Sequence, residues 1–434
     1  MWCKNTVLFF VFLGISCGKA NTIEDRSEKD NLPLKTEQHP KLLKNLENIE
    51  DLNTIFVGAN QTEEYLPLLK GKRVGIVANQ TSVIFKTSIT KQQHVVKTAP
   101  SQNSYTHLVD SLVRLNINIK KVFSPEHGFR GTADAGEVVK DGLDSKTGLP
   151  IVSLYGKDKK PSAAQLKDID ILVFDIQDVG ARFYTYISSL HYVMEACAEQ
   201  HIPIVVLDRP NPNGHYIDGP ILEKQHKSFI GMHPIPVVHG MTIGEYAQMI
   251  NGQNWLNHNL KCQLLVIKLK NYTHAMTYSL PIKPSPNLPN DSAINLYPSL
   301  CFFEGTNVSV GRGTDLQFQI YGSPFLPKSE FKFIPKPNIG AKYPKHKNKV
   351  CYGYNLSNTP KHDTLELSYI INAYKHTQDK SKFFLSNGFF TKLAGTTQLQ
   401  QQIESGETAE KIKASWKDGL DKFKLIRNQY LLYN

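Results

Sequence analysis

Ser124-Pro-Glu-His-Gly-Phe-Arg-Gly131 puts a carboxyl group, an imidazole, a guanidinium and two glycines into eight consecutive residues. The glycines let backbone approach a ligand closely, and Pro125 stiffens the residue before Glu126. Four later segments have the same texture. Asp175-Ile-Gln-Asp-Val-Gly-Ala-Arg-Phe-Tyr-Thr-Tyr186 brings Asp175, Gln177, Asp178, Arg182, Tyr184 and Tyr186 into one turn. Asp208-Arg-Pro-Asn-Pro-Asn-Gly214 adds a stiff polar loop, and Pro284-Ser-Pro-Asn-Leu-Pro289 carries Asn287. Glu304-Gly-Thr-Asn-Val-Ser-Val-Gly-Arg-Gly-Thr314 supplies Glu304 and Arg312 between flexible glycines. Carboxylates, amides, tyrosines and arginines in open loops suit the binding of sugars, whose hydroxyls are bonded by Asp, Asn and Gln and whose faces stack on aromatics. Cleaving a glycosidic bond needs one carboxylic acid to protonate the leaving oxygen and a second group to meet the cationic centre. Glu126, with His127 beside it, fits the first role; the second stays open between Asp178, Glu304 and a neighbouring group of the sugar substrate itself. Each segment also has an ordinary reading: a strand-end Asp commonly caps the next helix, and an Arg beside it is commonly its ion-pair partner.

The elements that would position these loops alternate. Arg73–Ala78, Lys121–Phe123, Ile151–Tyr155, Asp170–Ile176, Ile204–Asp208 and Leu264–Lys268 read as strands. His107–Leu115, Tyr186–Gln200 and Met241–Ile250 read as helices, the last with Thr242 as its cap. Asp170-Ile-Leu-Val-Phe-Asp-Ile176 is nearly continuous apolar residue, as expected of a strand covered on both faces of a parallel sheet. The alternation predicts an α/β fold with a Rossmann-like, doubly wound and mostly parallel sheet over residues 54–280. The active loops then lie beyond the carboxyl ends of its strands. Denser Pro, Asn and Gly mark a second, smaller mixed α/β domain over 281–434, with amphipathic pieces at Leu365–Tyr374 and Glu410–Phe423.

Several classes of function are disfavoured. No Gly-x-Gly-x-x-Gly follows the first strand, so no nucleotide cofactor is expected. No Gly-x-Ser-x-Gly elbow supports a serine hydrolase. Cys197, Cys262, Cys301 and Cys351 match no zinc spacing, and neither a metal nor a required disulfide is expected. The net charge is +11 over 434 residues. Residues 1–16 carry +1 and 18–53 carry −2, which leaves +12 on the body. Much of that lies between Pro327 and Val350, where seven lysines face one Glu without any basic-aromatic nucleic-acid motif. No nucleic-acid partner is expected.

The amino terminus reads as a signal segment over residues 1–17. Lys4 precedes the apolar run Val7–Ile15, and Leu13-Gly-Ile-Ser-Cys17 resembles a lipobox with Cys17 as the lipidated residue. A polar leader over 18–53 follows. These features predict an extracytoplasmic protein, in the periplasm or at the outer membrane, held to the membrane by a lipid on Cys17.

The polar segments above, with Val206-Leu-Asp-Arg-Pro-Asn-Pro212 and Pro236-Val-Val-His-Gly-Met-Thr-Ile-Gly-Glu245, resemble the signature blocks of the exo-β-N-acetylmuramidase family of glycoside hydrolases. The resemblance runs from about Phe56 to Tyr433. It implies a Rossmann-like domain and a smaller carboxyl-terminal domain with the active cleft between them. It also implies release of N-acetylmuramic acid from the non-reducing ends of peptidoglycan fragments, alongside other wall hydrolases. The family's candidate catalytic Glu falls on Glu126. Arg130, Arg182, Tyr184, Asp208, Arg209, Asn211, His239, Asn287 and Arg312 become expected substrate-binding residues. Arg182 or Arg312 would then pair with the lactyl carboxylate that distinguishes muramic acid from glucosamine. One departure is visible: where the family tends to carry a carboxylate after Gly-Arg-Gly-Thr, this chain has Gln319, so a subsite contact there would differ. The rival to the enzyme is a peptidoglycan-binding lipoprotein that uses the same cleft without turnover.

Overall fold

The computed structural model describes residues 54–86, 89–90, 104–131, 137 and 141–434. The signal run, Cys17 and the leader to residue 53 lie outside the described residues, so the membrane anchor is not addressed by them. The described residues belong to one compact unit.

The main sheet contains β1 (Val74–Ala78), β2 (Ile119–Ser124), β3 (Gly142–Leu143), β4 (Pro150–Ser153), β5 (Ile171–Asp175), β6 (Ile204–Leu207) and β7 (Leu264–Ile267). Their spatial order is β7-β6-β5-β1-β2-β4-β3, parallel throughout except for the short edge strand β3. From β1 the chain builds outward through β2 and β4, then returns to β1's other side with β5. Two neighbours of β1 thus run in opposite directions of growth, the topology that opens a crevice at the carboxyl ends of the strands. Ile76 lies opposite Val122 and Val173, and Val205 opposite Val173; the β1–β2 ladder shifts register once, between Val74 and Gly75.

The apolar runs explain the burial. On β5 and β6 successive side chains alternate between two cores: Leu172, Phe174, Ile204 and Val206 pack into one, and Val173, Val205 and Leu207 into the other. Covering both faces takes helices on both sides, and the sequence supplies them. They begin with α1 (Thr62–Leu69), α2 (Leu108–Arg114), α3 (Ala163–Leu166), α4 (Tyr186–Glu199) and α5 (Ile243–Gly252). Helix α5 starts where expected. The Thr242 hydroxyl accepts from Glu245 N while the Glu245 carboxylate accepts from Thr242 N, a reciprocal capping box.

Beyond α6 (Asp291–Leu300) a small antiparallel sheet forms from β8 (Ile320–Ser323), β9 (Lys332–Phe333) and β10 (Cys351–Asn355), in the order β8-β10-β9. Five helices follow: α7 (Ser368–His376), α8 (Phe389–Ala394), α9 (Gln398–Glu404), α10 (Ala409–Ala414) and α11 (Lys417–Arg427). The amphipathic stretch Glu410–Phe423 falls across α10 and α11. The break at Ser415-Trp416 seats Trp416 in the core. The four described cysteines are buried free thiols. Tyr433 closes the chain back onto the main sheet by donating its hydroxyl to Asp208 at 2.6 Å while accepting from Leu269 N.

Candidate functional site

Beyond the carboxyl ends of β2, β4 and β5 lies a cleft of about 870 Å³. Glu126, His127, Tyr184, Asn287, Glu304 and Arg312, all singled out from sequence, line it. Glu126 sits in a tight turn closed by Gly128 N donating to Pro125 O at 3.1 Å. His127 takes the third position with φ 71°, and Gly128 follows at φ 78°. A non-glycine residue held at positive φ is uncommon and clusters at functional sites. The turn satisfies itself through backbone and leaves the half-buried Glu126 side chain for other partners. Thr185 Oγ1 donates to Glu126 Oε2 at 3.0 Å. Tyr155, just past β4, hydrogen-bonds the same carboxyl. Burial first, and then the Glu126 charge, push the Tyr155 phenol pKa well up, so it stays a donor.

The base of the cleft is aromatic. Tyr184 and Tyr186 meet edge-to-face at 4.9 Å, and Tyr297 packs against both Tyr184 and Phe318. The Tyr184 hydroxyl donates to Pro284 O at 2.8 Å, tying the Pro284–Pro289 loop to this floor. On that loop Asn287 is buried and donates through Nδ2 to Gly340 O at 2.7 Å, while its Oδ1 has no partner. A buried acceptor with no partner is rare and marks a place for a donor.

The opposite wall comes from the turn after α6 and the glycine-rich loop beyond it. Glu304 Oε1 accepts from Arg312 Nε at 2.5 Å. The guanidinium carbon lies 5.0 Å from the centre of the Phe318 ring. Gly311 and Gly313 flank Arg312 at φ 77° and 80°. Lys345 also lines the wall, its Nζ donating to the carbonyls of Phe303 (3.0 Å), Glu304 (3.5 Å), Thr306 and Val308 (3.1 Å). Burial lowers its pKa to about 8. At the mouth Lys342 pairs with Glu137 at 2.6 Å beside the exposed Tyr343, and Phe229 lies on the rim.

The remaining residues expected to bind substrate do not line this cleft; each is spent on holding a loop. Arg130 bonds Asp144 at 2.7 and 3.1 Å and Asp110 at 3.0 Å, bracing the end of the Glu126 loop. Arg182 is wholly buried, with Nη1 donating to Pro220 O and Ile235 O and Nη2 to Leu393 O and Ala394 O, at 2.7 to 2.9 Å. Asp208 receives the hydroxyls of Thr242 and Tyr433 and the amides of Arg209 and Gly244. It thereby caps α5, the ordinary role of a strand-end Asp. Arg209 forks onto Asp175 at 2.6 and 2.9 Å. Asn211 accepts from Asn213 N and donates to Met241 O. Its packing explains Gly180, where φ is 77° and a Cβ would collide with the Asn211 amide.

Asp178, a candidate for the second catalytic group, is buried outside the cleft lining and accepts from Gly180 N at 2.7 Å; burial pushes its pKa to about 7. His239 Nε2 lies 3.7 Å from it, and burial lowers that imidazole's pKa to about 3, so it stays neutral. Gln319 is likewise buried outside the cleft lining, accepting from Asn290 Nδ2 at 3.1 Å.

Sequence reading missed Tyr155, Thr185 and Lys345. Tyr155 was visible as the residue ending a strand beside the Glu126 strand. Lys345 was hidden in a lysine-rich run whose other members are exposed. Among the described residues no cluster of three or more His, Cys, Asp or Glu side chains could hold a metal ion.

Comparison with known proteins agrees over nearly the whole described body. Residues 74–292 match the amino-terminal domain of the exo-β-N-acetylmuramidase NamZ family, and residues 295–433 match its carboxyl-terminal domain. The peptidoglycan β-N-acetylmuramidase NamZ of Bacillus subtilis (strain 168) is 39% identical over 389 residues, covering 85% of this chain and 89% of the relative. A crystal structure of a DUF1343 family protein from Bacteroides fragilis shares 47% identity with a TM-score of 0.77, over 88% of this chain and 99% of its own. A second DUF1343 family protein from the same organism shares 28% identity with a TM-score of 0.69, over 88% and 100%.

Proposed function

The chain belongs to the exo-β-N-acetylmuramidase family, and from that premise we propose that Glu126 is the general acid with which it hydrolyses peptidoglycan fragments, releasing N-acetylmuramic acid from their non-reducing ends. The protein is a glycosidase of the cell wall. The observation that carries the assignment of Glu126 is its setting. The Glu126 carboxyl stands just past the carboxyl end of a central parallel strand, inside the cleft, bonded by the Thr185 hydroxyl at 3.0 Å and by Tyr155. These two hydroxyl donors come from different segments and fix its orientation, the positioning a general acid requires. The aromatic floor of Tyr184, Tyr186 and Tyr297 suits the faces of a sugar ring, and the unpartnered Oδ1 of Asn287 suits a hydroxyl or acetamido N–H. Of the two protein carboxylates considered for the second role, Glu304 lines the cleft and Asp178 does not.

The test is Glu126→Gln with a chromogenic N-acetylmuramic acid β-glycoside. The variant should bind free N-acetylmuramic acid as the wild type does and lose turnover by at least about 100-fold, the range for removing a positioned acid. Full turnover in the variant would refute the assignment. Saturable binding by the wild type without any turnover would favour the rival, a glycan-binding protein.

We propose that the reaction runs outside the cytoplasm, with the protein tethered through a lipid on Cys17 and acting beside other wall hydrolases. What supports this is the Val7–Ile15 apolar run followed by Leu13-Gly-Ile-Ser-Cys17 and a polar leader. Metabolic labelling with a fatty acid, lost in Cys17→Ala, tests it.

A further inference from the structure

We infer that Arg312, held by Glu304, is the residue that recognises the substrate's free carboxylate and so sets specificity for muramic acid over glucosamine. The inference rests on the muramidase reading above. Each basic side chain near the cleft can be asked what its N–H groups already do. Arg130, Arg182 and Arg209 are committed to carboxylates or carbonyls outside the cleft lining. Lys345 lines the cleft but spends its ammonium on four backbone carbonyls of the 303–308 segment. Lys342 sits exposed at the mouth and pairs with Glu137.

Arg312 differs. It uses Nε on Glu304 Oε1, and neither Nη atom makes a hydrogen bond among the described residues. The side chain keeps 23% of its surface accessible and lines the cleft. A guanidinium fixed through Nε, with Phe318 packed against it, has lost its freedom to swing, and its Nη edge presents two parallel N–H groups. That is the geometry a carboxylate meets with two bonds.

Charge agrees with shape. Glu304, Arg312 and Lys345 together carry one net positive charge, enough to balance one incoming anion in a partly closed site. Glu304 therefore orients Arg312 without cancelling the site, because Lys345 compensates it. In an N-acetylmuramic acid residue the one carboxylate is the lactyl group, which glucosamine lacks. The anion must be free, since an amide or ester there offers no second acceptor oxygen of equal charge.

The test compares free N-acetylmuramic acid with its lactyl methyl ester as competitors of chromogenic glycoside turnover, in wild type, Arg312→Gln and Arg312→Lys. The wild type should bind the acid at least about 30-fold more tightly than the ester, as expected when a partly buried charge pair is lost. In Arg312→Gln the preference should fall to within a few-fold, mainly through weaker binding of the acid; Arg312→Lys should lie between, keeping charge but not the fork. A wild type that binds acid and ester alike, or a preference that survives in Arg312→Gln, overturns the inference while leaving the muramidase reading intact. If Arg312→Gln does not fold, judged by circular dichroism, the wild-type ratio and Arg312→Lys still decide. A wild type that releases no sugar and binds neither ligand would instead sink the muramidase reading itself.

Discussion

Arg182 separates a ligand-binding role from a structural one by experiment. Its guanidinium is wholly buried and donates four hydrogen bonds to carbonyls of three separate segments: Pro220, Ile235 and the end of α8 at Leu393 and Ala394. Burial lowers its pKa to about 9, still far enough above neutrality that the group remains charged. Arg182→Met fills similar volume and removes every donor. Four buried carbonyls left without partners would cost about 1–3 kcal/mol each. Against this, an isolated buried charge is itself expensive, and its removal returns several kcal/mol. The net loss should be about 3–5 kcal/mol, a large share of the 5–15 kcal/mol of an ordinary fold. With about 2 cal/mol/K of unfolding entropy per residue, a chain of this size loses roughly 1 °C per kcal/mol, so Tm should fall by about 3–6 °C in calorimetry. KM for a chromogenic muramic acid glycoside at 25 °C should stay within about threefold, because Arg182 does not line the cleft. An unchanged Tm with KM raised tenfold would refute this reasoning and return Arg182 to the substrate.

Two further outcomes follow from neighbours of the catalytic loop and wall. Burial alone would raise the pKa of Asp144, but its bonds to Arg130 and then Thr147 hold it at about 2, so it grips Arg130 as an anion at any working pH. Asp144→Ala should loosen the loop that carries Glu126 and lower kcat about tenfold with little change in KM, since small misplacements of reacting groups are costly; steady-state kinetics with equal losses in both parameters would argue against it. Burial places the Lys345 pKa at about 8, so the ammonium is charged below that pH and neutral above it. Binding of free N-acetylmuramic acid should therefore weaken as pH rises through about 8, while binding of its methyl ester stays flat. Isothermal titration across pH 6.5 to 9.5 reads this, and an identical pH profile for both ligands would count against Lys345.

The framework was legible because its signals are backbone-scale. Six apolar runs gave the six parallel strands to within two residues at either end, and the capping residue of α5 was visible as Thr242 before Glu245. The amphipathic pattern over Glu410–Phe423 did not reveal the break at Ser415-Trp416, where Trp416 is buried between two helices. The site was legible only in part. Residue type and position at a strand tip are the same for a side chain that meets a ligand and for one that holds the loop. Arg130, Arg182, Asp208, Arg209, Asn211 and His239 share the blocks of Glu126 and Arg312 and differ only in where they turn.

Turn chemistry separates much of that ambiguity. An Asp or Asn side chain is short enough to bond a backbone N–H one or two residues ahead, and so replaces a backbone hydrogen bond in closing a loop. Asp178 does this to Gly180 N, Asn211 to Asn213 N, Asn79 to Thr81 N and Asp208 to Arg209 N. All four are buried, and none lines the cleft. The Glu126 turn is closed instead by its own backbone, from Gly128 N to Pro125 O. Glu126 and Glu304 bond side chains instead, Thr185 and Tyr155 for the first and Arg312 for the second, and both line the cleft. Glu245 marks the limit of the argument, for at the third position of a helix its added length is what lets it reach back to Thr242 N. A strand-tip carboxylate that neither closes its own turn nor caps a helix is thus the one placed to face the cleft. Glu126 meets that condition, whereas Asp178 is spent on its own loop.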